Sequence, residues 1–192
     1  MSAKMKYDAI VIGTSAGGLS ALSAVLGALP ESFHLPVIVV QHRSADNPDL
    51  LEQVLSYKVA LPVCLAEEKD TIKGGCVYCA PAGYHLLIET DRTFSLSYDP
   101  PVNFSRPSID VLFETAAAAY GPALLAIILT GASRDGAEGI QKVRKSGGTT
   151  IAQQPANAQF PYMPQAAVDT GSVQHILDLQ GITSFLLAMT IK

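Results

Sequence analysis

Short apolar runs alternate with longer amphipathic segments along this chain, the pattern of a parallel sheet covered by helices. Tyr7 to Ile12 (YDAIVI) predicts a buried first strand, and Gly18 to Leu29 (GLSALSAVLGAL) predicts a helix that Pro30 stops. Pro36 to Gln41 (PVIVVQ) predicts a second strand, after which Asp46-Asn47-Pro48 opens a helix with a capping residue and a first-turn proline. From Val59 to Asp99 the helical period gives way to short alternating runs, PVCLAE, CVYCAP, HLLIET and FSLSY, with Asp91-Arg92 at the tip of an antiparallel hairpin. Ser105-Arg106-Pro107-Ser108 then starts a helix, IDVLFETAAAAY, that Gly121-Pro122 ends. Ala123 to Thr130 (ALLAIILT) predicts the clearest buried strand. Gly136 to Lys145 predicts a charged amphipathic helix, TTIAQQ a further strand, and ITSFLLAM a final helix. The expected fold is α/β: a three-layer, mainly parallel, doubly wound (Rossmann-like) sheet with an antiparallel hairpin insertion, in a single domain spanning residues 1–192.

Composition narrows the class. Hydrophobic residues make up 48% and charged residues 16% of the chain, which predicts a well-buried globular protein rather than a disordered one. No window supplies the roughly 18 uninterrupted apolar residues of a membrane span, and the N-terminus leads into Gly13 without the longer apolar core of an export signal. The expected location is the cytoplasm, without membrane insertion. A net charge of −4, with no run of Lys or Arg, argues against nucleic acid as a partner. Three cysteines cannot all pair within one chain, which fits a reducing compartment. Cys76-x-x-Cys79 has the spacing of half a zinc site, but no second pair follows, and residues three apart on a strand face opposite sides. Buried thiols, and no metal or cofactor, are the expectation.

In parallel sheets, reactive groups collect where the loops leave the carboxyl ends of the strands. Ser15 follows the first strand, His42 follows PVIVVQ, and Asp135 follows ALLAIILT in the loop GASRDGA, so all three fall on one edge. The other histidines do not: His34 precedes its strand, His85 opens the hairpin region, and His175 lies among apolar neighbours in VQHILDL. A serine hydroxyl becomes a nucleophile when an imidazole takes its proton, and a carboxylate fixes that imidazole's tautomer and stabilises the charge it gains. Gly13-Thr14-Ser15-Ala16-Gly17 has the G-x-S-x-G form of a strained elbow, whose next backbone N–H, that of Ala16, would face a developing oxyanion at a helix N-terminus. A phosphate loop fits less well. Ser15 stands at the middle glycine of G-x-G-x-x-G, and Leu19 stands where a Walker motif needs Lys. An α/β-hydrolase using Ser15, Asp135 and His175 lacks the strands that should precede its elbow.

With these residues in place, the chain resembles the catalytic domain of the CheB-type chemotaxis methylesterases, the protein-glutamate methylesterases and glutamine deamidases. The segments VIGTSAGG, VVQHRS, CVYCAPAGYHLLI, RPSIDVLFETAA, ILTGASRDGAEG and QFPYMPQAAV carry the resemblance, in order and over nearly the whole chain. It implies Ser15 as nucleophile, His42 as general base and then acid, Asp135 as their partner, and an oxyanion hole that draws on a backbone N–H near Ala132 as well as Ala16. The implied reaction hydrolyses glutamyl methyl esters on the cytoplasmic helices of chemoreceptors, releasing methanol in chemotaxis adaptation, with glutamine deamidation as a second activity. Arg106-Pro107-Ser108 and the QFPYMPQ loop would wall an open substrate groove.

Two departures qualify the resemblance. The family's T-G-M-G-x-D-G reads here Thr130-Gly131-Ala132-Ser133-Arg134-Asp135-Gly136. Arg134 either faces outward, approaches the substrate, or pairs with Asp135 and loosens it from His42. That altered loop suggests the alternative of a weak or inactive interaction module of the same fold in a chemosensory pathway. In addition, the N-terminal receiver domain that many family members carry does not precede the first strand, so the sequence describes either a stand-alone enzyme or an excised domain.

Overall fold

A strand buried on both faces must be apolar at nearly every position, and the strand runs of this chain meet that demand. The computed structural model describes residues 7–43 and 51–189. In chain order the elements are β1 (Ala9–Thr14), α1 (Gly18–Leu26), β2 (Val37–Gln41), α2 (Leu51–Ser56), β3 (Val63–Leu65), β4 (Val77–Cys79), β5 (His85–Ile88), β6 (Phe94–Ser97), α3 (Ile109–Tyr120), β7 (Leu124–Ile128), α4 (Ala137–Lys145), β8 (Thr149–Gln153), α5 (Tyr162–Asp169), β9 (His175–Leu177) and α6 (Leu179–Leu187). Seven strands form one parallel sheet in the order β3-β4-β2-β1-β7-β8-β9, and β5 pairs with β6 as a separate antiparallel hairpin. The capping sequence Asp46-Asn47-Pro48 lies outside the described residues.

Alternation along the strands builds two cores. Ile10 and Ile12, Val37 and Val39, and Leu125 and Ile127 face a layer in which α1, α2 and α6 supply Leu22, Leu26, Leu55 and Ile182. Val11, Ile38, Val40, Ala126 and Ile128 face the opposite layer, where α3, α4, α5 and the hairpin supply Phe113, Ile140, Met163 and Phe94. Phe33, Phe94 and Phe113 are fully buried; each such side chain contributes about 1.5–3 kcal/mol relative to exposure. Helix α4 carries Glu138 in its first turn and Lys142, Arg144 and Lys145 in its last, the charge order that the helix dipole favours.

The chain runs from β1 to β2 and on to β3 at the edge, returns to insert β4 between β3 and β2, then crosses to β7 on the other side of β1. This reversal opens a crevice at the carboxyl ends of β1 and β7, the place where open α/β sheets assemble their sites. One expectation needs correction, and two segments take forms that the sequence left open. The runs PVCLAE and CVYCAP supply β3 and β4, parallel members of the main sheet outside the hairpin. The second half of QFPYMPQ is the first turn of α5. Its prolines do not prevent this, because first-turn N–H groups have no intrahelical partner to lose. The HIL of VQHILDL is the edge strand β9, half exposed and therefore without a strong apolar signature. Cys76 and Cys79 do face opposite cores, whereas Cys64 is exposed. Among the described residues, no helix is long and apolar enough to cross a membrane.

Candidate active site

Ser15 leaves β1 held on both sides. Thr14 pairs in register with Gln41, and His42 N donates to Thr14 O at 3.0 Å, so Ser15 and His42 leave adjacent strand ends together. Ser15 N donates to Thr130 O at 3.0 Å, and Gln41 Nε2 donates to Ser15 O at 2.8 Å. Gly18 N closes back on Ser15 O at 2.9 Å, with Gly17 at φ 77°, ψ 0°. This is a type II turn, whose third position favours glycine. The expected strain at the serine is therefore absent: Gly17 takes the left-handed conformation, and Ser15 is not among the residues with positive φ.

His42 meets Asp135 directly, Nε2 to Oδ2 at 2.7 Å, with the two side chains 11% and 0% exposed. A carboxylate only accepts, so Nε2 carries the proton and Nδ1 is left as the basic nitrogen. That nitrogen accepts from Ser105 Oγ at 3.3 Å, while the Ser15 hydroxyl makes no hydrogen bond among the described residues. The structure thus places all three predicted residues at one edge, joins His42 to Asp135, and leaves Ser15 beside the pair without closing the contact. Contacts between nucleophile and base commonly tighten only when substrate binds.

Asp135 also caps α3. Its Oδ2 accepts from Ile109 N at 2.6 Å, and its Oδ1 accepts from Asp110 N at 3.1 Å, from Ser108 Oγ at 2.8 Å and from Asn103 Nδ2 at 3.3 Å. Ser108, the residue in the capping position, gives its own hydroxyl to Asp135 instead of accepting from the helix. Burial alone would push the Asp135 carboxyl up, but hydrogen bonds from His42, Ile109 and Ser108, with the attraction of His42, hold it below the ordinary carboxylate range.

The remaining predicted residues fall as follows. The N–H groups of Ala16 and Ala132 have no acceptor among the described residues, which leaves both free for an oxyanion. Thr130 and Gly131 are clamped to the following loop: Phe160 N donates to Thr130 Oγ1 at 2.8 Å and Gly131 N to Phe160 O at 3.0 Å. Arg134 is exposed, and the ion partner of Asp135 is His42. His175 stacks on Phe185 at the sheet edge, with ring centroids 5.4 Å apart, so the α/β-hydrolase arrangement is not assembled. Arg106 and Pro107 line an open cleft of about 410 Å³ with His42, Arg43, Phe104 and Ser105. Tyr162 and Gln165 line a separate cleft of about 380 Å³ with Arg134 and Glu138.

Sequence reasoning missed Asn103, Ser105, Asp110 and His85, and it set Ser108 in the wall of the substrate groove, whereas Ser108 is buried and bonded to Asp135. His85, set aside as remote, is 2% exposed and ties the loop that leads from Asn103 into α3. Its Nδ1 accepts from Ser108 N and its Nε2 donates to Pro100 O, each at 3.1 Å. The only local signal was the polar density of NFSRPSID just before a helix.

Comparison with known proteins supplies further findings. Residues 10–186 match the family described as CheB methylesterase. A putative protein-glutamate methylesterase/protein-glutamine glutaminase of Leptospira interrogans is 45% identical over 185 residues, covering 96% of each chain. Protein-glutamate methylesterase/protein-glutamine glutaminase 1 of Rhodospirillum rubrum is 36% identical across 97% of this chain, which spans 49% of that longer relative. The crystal structure of the Thermotoga maritima CheB methylesterase catalytic domain matches with a TM-score of 0.89 at 32% identity, covering 95% of this chain and 98% of that one.

Proposed function

The chain belongs to the CheB methylesterase family, and from that premise we propose that it is a serine hydrolase that cleaves glutamyl methyl esters, and deamidates glutamines, on the cytoplasmic helices of methyl-accepting chemoreceptors. Residues 1–192 form one catalytic domain working in the cytoplasm, with neither nucleic acid nor membrane as a partner. Ser15 Oγ attacks the side-chain carbonyl while His42 Nδ1 takes its proton, and Asp135 stabilises the resulting imidazolium through Nε2. The N–H groups of Ala16 and Ala132 receive the oxyanion. His42 returns the proton to the leaving methoxide, or to the leaving amide nitrogen in deamidation, and then activates the water that cleaves the acyl-enzyme. These steps call on no cofactor. Before the first step Ser105 must yield Nδ1 to Ser15, a hydroxyl rotation within an open cleft.

The observation that carries this reading is the His42–Asp135 contact at 2.7 Å, one residue beyond the paired strand ends from which Ser15 also emerges. An inactive interaction module is less well supported, because the altered loop still delivers Asp135 to His42 with Arg134 exposed. Methanol release from a methylated receptor fragment tests it. Ser15→Ala is expected to lower turnover on the order of 10⁶-fold, and a fluorophosphonate should label Ser15 alone. Labelling of Ser105, or equal rates for the two proteins, would overturn the assignment.

A further inference from the structure

Behind Asp135 a second carboxylate is buried without a cation. Asp110 is 8% exposed, and among the described residues it takes part in no ion pair. Its Oδ1 accepts from Gly139 N at 2.6 Å and its Oδ2 from Asn103 Nδ2 at 2.7 Å. The same Asn103 nitrogen lies 3.3 Å from Asp135 Oδ1, which also accepts the backbone N–H of Asp110. Because carboxylates face it on both sides, that end of the side chain must be the donating NH₂.

Asn103 reaches this place from a tight turn. Val102 N donates to Ser105 O at 3.1 Å and Ser105 N to Val102 O at 2.9 Å, with Asn103 at φ 49° and Phe104 at φ 62°. Two left-handed residues in a two-residue loop make a type I′ turn, which suits Asn and not Phe. Asn103 bonds to both carboxylates, whereas Phe104 is fully exposed. The unfavourable conformation is kept where it delivers an amide between the two acids.

We propose that Asn103 and Asp110 are positioning residues of the reaction centre: through the Asn103 amide, Asp110 holds Oδ1 of Asp135 so that Oδ2 stays on His42 Nε2, and Asp110 places a second negative charge behind the imidazolium. The proposal rests on the triad reading above. Burial, and then the charges of Asp135 and Glu138, lift the Asp110 carboxyl to about 7, against the pull of the Gly139 N–H. Around Asp110, the loop after β7 contributes Asp135 with His42 beyond it, and α4 contributes Glu138. Glu114, one turn along α3, is paired with Lys142 of α4, and His85 of β5 is engaged with Ser108.

Raising the pH removes the proton from Asp110, which strengthens the support behind the base. The acid limb of kcat/KM should therefore hold an ionisation that belongs to Asp110. Asp110→Asn keeps the shape and cannot ionise, so that ionisation should vanish from its limb. Asn103→Ala should lower kcat on the order of 10- to 100-fold, with KM for a small methyl ester changed less than about twofold. Stability supplies a readout independent of activity. A carboxyl raised in the folded state contributes stability that is full below its unfolded value of about 4 and is lost as pH rises through about 7. The urea midpoint of the wild type should fall between those values by an amount that Asp110→Asn removes.

An unchanged acid limb in Asp110→Asn together with wild-type kcat in Asn103→Ala would overturn the proposal. If Asp110→Asn does not fold, Asn103→Ala decides alone, since Asp110 stays in place there. Full activity in Ser15→Ala would instead defeat the triad reading, and the urea series would still report on Asp110.

Discussion

Asp135 serves two elements at once, so replacing it should cost stability as well as catalysis. Asp135→Asn is isosteric, yet it exchanges one acceptor oxygen for a donor among five hydrogen-bond donors: His42 Nε2, Ile109 N, Asp110 N, Ser108 Oγ and Asn103 Nδ2. With the new NH₂ at the Oδ2 position, the Ile109 N–H loses its acceptor; at the Oδ1 position, the Asp110 N–H and the Asn103 amide lose theirs. A buried donor left unsatisfied costs about 1–3 kcal/mol, and removing the charge from the helix N-terminus costs up to about 2 kcal/mol more. The total is about 1–5 kcal/mol, which for a domain of this size lowers Tm by roughly 2–20 °C. A thermal melt at neutral pH followed by circular dichroism measures it, with Ser15→Ala as a control expected within about 0.5 kcal/mol of wild type. Ser108→Ala, which removes one of the five bonds, should fall between them at about 1 kcal/mol. If Asp135→Asn loses activity but melts within about 1 °C of wild type, the carboxylate does not hold α3, and the reasoning fails.

Two further perturbations probe the turns around the site. Phe104→Gly should raise the urea midpoint by about 0.5–1 kcal/mol equivalent, since the left-handed conformation costs a side chain about 1–2 kcal/mol and glycine returns part of that as entropy; a lower midpoint would show that Phe104 is held by contacts worth more than its strain. Gly17→Ala should destabilise by about 1–2 kcal/mol and lower kcat, because at φ 77° its Cβ would lie 2.7 Å from Gln159 Oε1 and 3.2 Å from Thr130 Cγ2, shifting the turn that carries the Ala16 N–H. Unchanged kcat in a folded Gly17→Ala protein would remove Ala16 from the oxyanion hole.

Sequence patterning carries a long way here, and it fails for identifiable reasons. The strands, the bounds of α3 and the shared edge of Ser15, His42 and Asp135 follow from apolar runs and from the rule that loops leave parallel strands at their carboxyl ends. Each is a local property, visible within a dozen residues. Helix α5 was hidden because Pro161 and Pro164 read as loop, although at a helix start they remove no intrahelical bond. Strand β9 was hidden because an exposed edge need not be apolar. His85 looked remote because its partners, Pro100 and Ser108, lie on a loop that only folding brings against it.

By itself, then, the amino-acid order determined which residues could do chemistry and on which edge of the sheet they would stand, because period and strand polarity are written locally. The tertiary structure decided how they are wired. It turned Nε2 of His42, rather than Nδ1, toward the carboxylate, put Ser105 on the free nitrogen, and set Asp135 on the N-terminus of α3 with Asn103 and Asp110 behind it. Apart from the Asn103–Asp110 bond, these are contacts between segments some 25 to 90 residues apart in the chain. Such contacts depend on how α3 packs between the hairpin, the sheet and α4, and no periodicity records that packing.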